Sequence, residues 1–470
     1  MIKLSQRCYV LFLSIFLVAC DKSPAPEFST SELKPGGETT LKRINTRTFI
    51  HPSENLDMDQ QLDFWDGLSF FRDPWVTAPA VTKDRDGLGP LYNARSCKAC
   101  HVRGGRGKLV EEGIHQPMAL LFRLGHATDG SYLDPIYGGQ LQPFSIFLNK
   151  QTSVMPEGKV QISYQKIKGV YPDGTLYQLI KPHYQLLELG YQPLSANTVV
   201  SPRYAPALYG MGLLDAINES DLLSLEDVDD LDGDGISAKY NRVPLAGKQG
   251  KHGIGRFGFK ASQPSLAQQT AAAFVNDIGI TNPFFTQDTC TESQTMCVLA
   301  SKLGGHDKAL EIPEKLHKLT VFMGANIALQ PTRKLKSEKA QKGRRLFYQA
   351  NCHACHTPSF TTDKSYPIKA LANQKIWPYT DLALHDMGEA LADNKAEFQA
   401  NGREWRTPPL WGVGLHSHIQ GFEAYLHDGR AKTLEQAILW HGGEAETSKQ
   451  QFMKFAKQER DALIYFLKQI

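Results

Sequence analysis

No run of this sequence reaches the ~20 consecutive apolar residues that carry a helix across a bilayer. The longest apolar stretch is the shorter one from Tyr9 to Ala19. Charge of one sign is also missing: lysine and arginine total 52 against 49 acids, a net charge of +3 over 470 residues. Such a balance provides no general field for nucleic acid, and no nucleic-acid partner is expected. With 41% hydrophobic and 21% charged residues, neither long disorder nor a polytopic membrane protein describes the whole. Cysteine is scarce, and its distribution is informative. Cys8 lies in the apolar stretch, Cys20 closes it, and the other six fall as Cys97/Cys100, Cys290/Cys297 and Cys352/Cys355. No thiol of the mature chain is left over, which suits an oxidising compartment. The length predicts two to four domains.

The amino terminus reads as an export signal. Lys3 and Arg7 precede the apolar stretch, which ends Leu17-Val18-Ala19-Cys20. That ending resembles the bacterial lipobox, so residues 1–20 are expected to be a lipoprotein signal with Cys20 the lipidated residue; an ordinary signal with a chance cysteine is the alternative. Residues 21–45 are rich in Ser, Pro, Glu, Thr and Gly and read as a flexible tether. The expected location is the periplasm, anchored by lipid to a membrane. Asp21 resembles an inner-membrane retention signal and favours that membrane over the outer one.

Two pentapeptides carry the chemistry: Cys97-Lys98-Ala99-Cys100-His101 and Cys352-His353-Ala354-Cys355-His356. Each is a C-x-x-C-H haem-attachment sequence. Two thiols at this spacing can form thioethers to the vinyl groups of one haem, while the next residue delivers an imidazole to the iron. A shared zinc site and two redox dithiols compete for the same cysteines. Neither explains a histidine at the same offset twice. Two covalently bound haems c are therefore the expected cofactors.

The chain also repeats itself. Arg203-Tyr204-Ala205-Pro206-Ala207-Leu208-Tyr209-Gly210-Met211-Gly212-Leu213 returns, one residue shorter, as Arg406-Thr407-Pro408-Pro409-Leu410-Trp411-Gly412-Val413-Gly414-Leu415. Gly67, Phe70 and Phe71 before the first haem sequence echo Gly343, Leu346 and Phe347 before the second. A helix over 339–348 and another over 459–470, with Leu463, Phe466 and Leu467 on one face, complete a pattern that resembles class I cytochromes c. Alternating residues such as Val160, Ile162 and Tyr164, and a Tyr171-Pro172-Asp173-Gly174 turn, predict a β-rich insertion at about 115–200. The expected fold is mainly α: two cytochrome c-like haem domains in tandem, 46–330 and 331–470, with the insertion in the first.

Thr407-Pro408-Pro409-Leu410, Tyr425-Leu426-His427-Asp428-Gly429-Arg430 and Thr433-Leu434-Glu435-Gln436-Ala437 resemble the dihaem cytochrome c peroxidases and their MauG relatives. Leu384-His385-Asp386-Met387-Gly388, Glu404-Trp405-Arg406 and Trp440-His441-Gly442-Gly443-Glu444-Ala445 resemble more closely the di-haem oxidoreductases, often labelled thiol oxidoreductases. The likeness runs over roughly 46–470. It implies an enzyme with one six-coordinate, electron-handling haem and one haem that can open a position to substrate. It also implies a sixth ligand for the carboxy-terminal iron at His441, with Met387 the competitor and core filling its plainer role. His427 and Asp428 become candidate catalytic residues that orient water or substrate; stabilising a turn is the equal alternative. The peroxidases' tryptophan–aspartate–glycine–arginine stretch is absent after Leu213, which weakens a peroxidase assignment because no acid/base group is identifiable there. The expected function is a periplasmic di-haem oxidoreductase with a reactive amino-terminal haem and a carboxy-terminal haem that exchanges electrons with a periplasmic partner. A non-catalytic electron carrier serving iron uptake or respiration is the alternative.

Other residues carry smaller expectations. His115 and His126 follow His101 at distances that allow a distal role, although surface or core packing is the commoner one. Trp405, Trp411 and Trp440 could shorten an electron path or simply pack. Asp230, Asp232 and Asp234 with Gly233 and Gly235 make half of a calcium loop, but Asn241 stands where the bidentate glutamate belongs; calcium and an acidic solvated turn both stay open. Cys290 and Cys297 enclose a polar loop and suit a local disulfide, with a reactive dithiol the sharper alternative.

Overall fold

The computed structural model describes residues 25–108, 110–116, 118–149, 151–302 and 310–470. Cys20 and its lipobox lie outside them.

The longest helices build two crossings of the same design. Helix Met58–Arg72 starts at Asp57, whose carboxylate accepts from the Gln60 amide at 2.8 Å, and buries Phe64, Gly67, Phe70 and Phe71 on one face. It packs on helix Glu314–Ala325 so closely that a Cβ on Gly67 would overlap the Leu319 carbonyl. Helix Glu338–Gln349, capped by Ser337, buries Gly343, Leu346 and Phe347 and crosses helix Lys457–Leu467, where a Cβ on Gly343 would overlap the Ala462 carbonyl. In both crossings the missing side chain lets backbones approach.

Between the helices of these crossings the described residues form only short helices. About 28% of residues are in helices and 18% in strands, distributed over several small sheets of two or three strands. The expectation of a mainly α protein made of two cytochrome c-like domains is therefore wrong; the fold is mixed. The reason lies in composition and patterning. There are 39 glycines and 26 prolines, and apart from the four long helices the α-helices run to nine residues or fewer. The alternation at 113–204 forms strands instead. The C-x-x-C-H signal and its flanking helices are local, and they do not govern the segments between.

Strands Lys159–Val170 and Leu176–Leu187 pair antiparallel over their full length, joined by the turn at Tyr171–Gly174, with Gly174 at φ 83°. Strand Gly113–His115 adds to one edge of this hairpin, while Leu120–Gly125 pairs with Val199–Tyr204 in a separate ladder. The hairpin is a strap. Its tip reaches the carboxy-terminal helices, where the Tyr171 phenol donates to Glu435 at 2.7 Å and Arg460 stacks 3.9 Å from the ring while pairing with Asp173 at 2.8 Å.

Residues 25–45 also depart from expectation. They lie against the second half of the molecule rather than forming a tether, because Glu32, 1% exposed, takes a two-point ion pair from Arg344 at 2.9 and 3.1 Å and a hydrogen bond from Tyr379. Composition suggested a spacer, and one buried charge pair overrode it.

Gly343→Ala is expected to destabilise the protein by about 1–3 kcal/mol through overpacking at the helix crossing. Gly324→Ala, with nothing within 4 Å of the new methyl, is expected to stabilise helix Glu314–Ala325 by about 0.5–1 kcal/mol. Thermal unfolding of both variants checks the opposite signs; equal shifts would mean that the crossing tolerates a side chain.

Candidate haem sites

Both C-x-x-C-H sequences present the same chemistry. The His101 Nδ1–H donates to the Pro206 carbonyl at 2.7 Å, and the His356 Nδ1–H to the Tyr379 carbonyl at 2.9 Å. A carbonyl only accepts, so the proton is on Nδ1 and the lone pair stays on Nε2. Burial lowers both rings to about 4, so both are neutral at pH 7. A neutral imidazole oriented by a hydrogen bond at Nδ1 is what an iron ligand requires. Phe71 stands 6.4 Å from the His101 ring and Phe347 6.5 Å from His356, each on the helix that precedes its haem sequence.

The thiols count against the competing readings. Burial pushes Cys97 and Cys352 up to about 12 and also raises Cys100 and Cys355, the reverse of a reactive dithiol. Among the described residues only Asp227, Asp230 and Asp232 bring three ligand atoms within 4.8 Å of one another, so the two cysteine pairs do not converge on one zinc. Two uncharged thiols beside a neutral, oriented imidazole fit covalent haem at each place.

The repeated segments meet each other. Gly210 and Gly412 have φ of 75° and 71°, where glycine is favoured, and a Cβ on Gly210 would overlap Trp411 while one on Gly412 would press on Tyr209. The Gly210 amide donates to Ile327 at 3.0 Å and the Gly412 amide to Ile470 at 3.1 Å, just beyond the second helix of each crossing. Each ring therefore sits over the other copy's glycine. Around this contact the structure gathers residues that sequence reasoning missed: His416, buried between the Tyr209 hydroxyl at 3.1 Å and Gln420 at 2.8 Å, and the guanidinium of Arg106, which donates to Leu426. Their only signal was position, directly after Leu415 and just after His101.

A model of the family described as "di-haem oxidoreductase, putative peroxidase" matches residues 29–122 and 137–470. The chain belongs to the di-haem oxidoreductase family. No curated protein and no solved structure matches it.

In this di-haem oxidoreductase the two sixth-ligand candidates arrive at one place. The His441 Nδ1–H donates to Ala437 at 2.7 Å, which leaves its Nε2 as the lone-pair nitrogen, and burial lowers the ring's basicity. His441 lies near enough to His356 to depress that ring as well. Met387 is next to it, with its carbonyl 3.1 Å from where a Gly442 Cβ would stand. The pair of loops is held by His385, whose two nitrogens meet Asp381 and Glu444 at 2.8 Å each. His385 thus has no nitrogen free for iron.

His427 and Asp428 are used otherwise. His427 stacks on Trp405 at 3.9 Å and 8°, and burial lowers it to about 3, while Asp428 takes the Arg430 guanidinium at 2.8–3.0 Å and its amide at 3.1 Å. His427 Nε2 also lies 3.7 Å from Asp428 Oδ2. His115 and His126 are likewise engaged in their own turns, His115 with Glu111 at 2.8 Å and His126 with the amides of Thr128 and Asp129. Trp405 carries Lys260 at 4.3 Å and Arg203 at 4.6 Å, and Trp440 carries Arg430 at 4.8 Å. A cation over a ring opposes removal of an electron from it.

In the acidic loop Asp230 and Asp232 come together with Asp227, not Asp234, whose carboxylate accepts the Ile236 amide at 2.8 Å. Asp230 and Asp227 also accept backbone amides, of Gly235 and Leu231, as a capped turn does. Cys290 and Cys297 are joined by a disulfide with Cα atoms 5.7 Å apart.

Behind Trp405, Arg203 pairs with Asp393 at 2.8 Å and Glu397 at 3.4 Å, and Lys260 with Asp393 at 3.1 Å. Burial opposes the carboxylate charges, but Arg203, Lys260 and Lys395 outweigh it, so Asp393 and Glu397 lie below their ordinary values. Depressed folded values mean stabilisation that is present above about pH 4 and lost as pH falls through those values. Glu397→Gln is expected to lower the melting temperature at pH 7 and to shrink the loss on acidification below that range. Parallel melting curves for variant and wild type across pH 3–7 would contradict this.

Proposed function

We propose that this member of the family is an exported, lipid-anchored oxidoreductase with two haems c. Cys97, Cys100 and His101 hold one within residues 46–330, and Cys352, Cys355 and His356 hold the other within 331–470. The observation that carries this reading is that three half-buried imidazoles, His101, His356 and His441, each give Nδ1–H to a backbone carbonyl and keep Nε2 for a metal. Bound haem supplies one-electron chemistry at iron.

The protein's residues set the division of labour. His441, close to His356, closes the second iron and makes it the site that exchanges electrons with a periplasmic partner. His115 and His126 each have one nitrogen engaged in their own turns, and no described imidazole bears on His101 as His441 bears on His356, which supports the first iron as the reactive one. Export and the anchor at Cys20 rest on the signal sequence; no helix among the described residues is long and apolar enough to cross a membrane. The engagement of His427 and Asp428 in packing favours a second reading, an electron carrier without a substrate site.

His441→Ala is expected to convert the carboxy-terminal haem from a bis-histidine low-spin species to a high-spin one in EPR and near-infrared spectra, while Met387→Ala leaves the ligand bands in place. Unchanged bands in His441→Ala would remove His441 from the iron. In the wild type, resting and half-reduced spectra are expected to show one cyanide-binding, high-spin haem; low-spin signals from both haems in both states would select the carrier.

A further inference from the structure

We propose that Arg106 and Arg333 form a buried carboxylate clamp beside Tyr209 that takes propionate groups of the haems. The inference rests on the two-haem reading.

The buried arginines of this protein are otherwise accounted for. Arg203, Arg344, Arg430 and Arg460 pair with Asp393, Glu32, Asp428 and Asp173 at 2.8–2.9 Å. Arg256 and Arg406 are engaged by backbone carbonyls, at Leu214, Asp215 and Ile217 for the first and Gly258 and Thr407 for the second. Arg333 differs: Nη1 and Nη2 are both shielded from solvent without a hydrogen-bond partner, while Arg106 is held in part, by the Leu426 carbonyl at 2.8 Å and over the Tyr204 ring at 5.0 Å, with its Nε left shielded and unpartnered. Among the described residues neither has an ion-pair partner.

Both arginines reach one contact. Arg106 gives its amide to Gln420 at 3.0 Å, which also holds His416 beneath the Tyr209 hydroxyl, and Nη2 of Arg333 would be 2.6 Å from a Cβ on Gly414, two residues beyond the glycine under Tyr209. Burial lowers Arg333 to about 10 and lowers Arg106 as well, and the nearby tyrosines, with Asp428 for Arg106, offset only part of that desolvation. A buried cation left without an anion is strongly unfavourable. Two of them at one contact call for a ligand with carboxylate chemistry, for which the planar guanidinium is the matching donor.

Two sources of carboxylate-like anion are available. The segment that carries Tyr209 also carries Pro206, whose carbonyl orients His101, so a haem held by His101 brings carboxylates of its own to this part of the fold. The other source is a free anion entering the cleft of about 650 Å³ that Arg333 lines together with Lys34, Lys42, Lys334 and Lys336. The desolvation of the Arg333 terminus, against the openness of that basic cleft, favours the first.

The test uses the matured di-haem protein as wild type, Arg333→Gln, Arg333→Lys and Arg106→Gln, titrated by spectroelectrochemistry at low and high inorganic phosphate. Removing a cation that pairs with a haem carboxylate favours ferric iron, so Arg333→Gln and Arg106→Gln are expected to lower the midpoint of at least one haem. Arg333→Lys should restore part of the shift, and phosphate should leave the wild-type midpoint in place. Midpoints in both glutamine variants that coincide with wild type would overturn the clamp. A wild-type midpoint that shifts and saturates with phosphate, and loses that response in Arg333→Gln, would assign the cations to a free anion and overturn it too. Haem counted by pyridine haemochrome separates the two levels: fewer than two haems in the wild type defeats the di-haem reading, whereas two haems with unmoved potentials defeat the clamp alone.

Discussion

The chemistry of this protein depends on two backbone carbonyls. Pro206 and Tyr379 each accept the Nδ1 proton of a histidine that follows a cysteine pair, and each thereby decides which nitrogen of His101 or His356 is a base. Burial then keeps both rings neutral. A histidine on the surface would sample both tautomers and the protonated form; here one neutral tautomer, the one a metal would need, is held. The cysteines beside them are held as thiols chiefly by burial, which at Cys355 outweighs the opposite pull of His385.

Tyr379 is held through Glu32 and by its amide on Pro358, and Pro206 sits in a segment whose contact is made twice. Tyr209 over Gly412 and Trp411 over Gly210 lock the two copies of the repeat face to face, and each copy is tied by an amide to the residue beyond a helix crossing built on Gly67 or Gly343. The duplication is thus of a local device, a close crossing followed by a left-handed glycine, and not of a whole domain. The long hairpin adds a second link, from the first half of the chain to the helices around His441. A disturbance at the Tyr171 tip would reach the loop that carries that histidine through Glu435, which lies on its helix.

Much of the site was legible in the sequence and less of the fold. The C-x-x-C-H pentapeptides, the repeat and the Tyr171–Gly174 turn are short patterns whose meaning is local, so they can be read without knowing the rest. The mixed architecture could not be read that way, because helices flanking a haem sequence say nothing about the Gly- and Pro-rich segments between them. Glu32 with Arg344, and Arg333 with Tyr209, are separated by more than a hundred positions, and no periodicity links them. His427 and Asp428 read from sequence as chemical or as turn-forming, and sequence could not show the partners that a histidine and an aspartate in a buried turn need, which Trp405 and Arg430 supply. Asp234 was grouped with Asp230 and Asp232 by spacing, yet the turn of the chain puts Asp227 there instead.

The intact mass of the exported, matured protein tests the central claim most directly. Two oriented imidazoles beside two pairs of neutral thiols predict a polypeptide, with its lipid, heavier by two haems that survive denaturation. A mass increased by one haem or none, with the four thiols of Cys97, Cys100, Cys352 and Cys355 still open to alkylation, would contradict it.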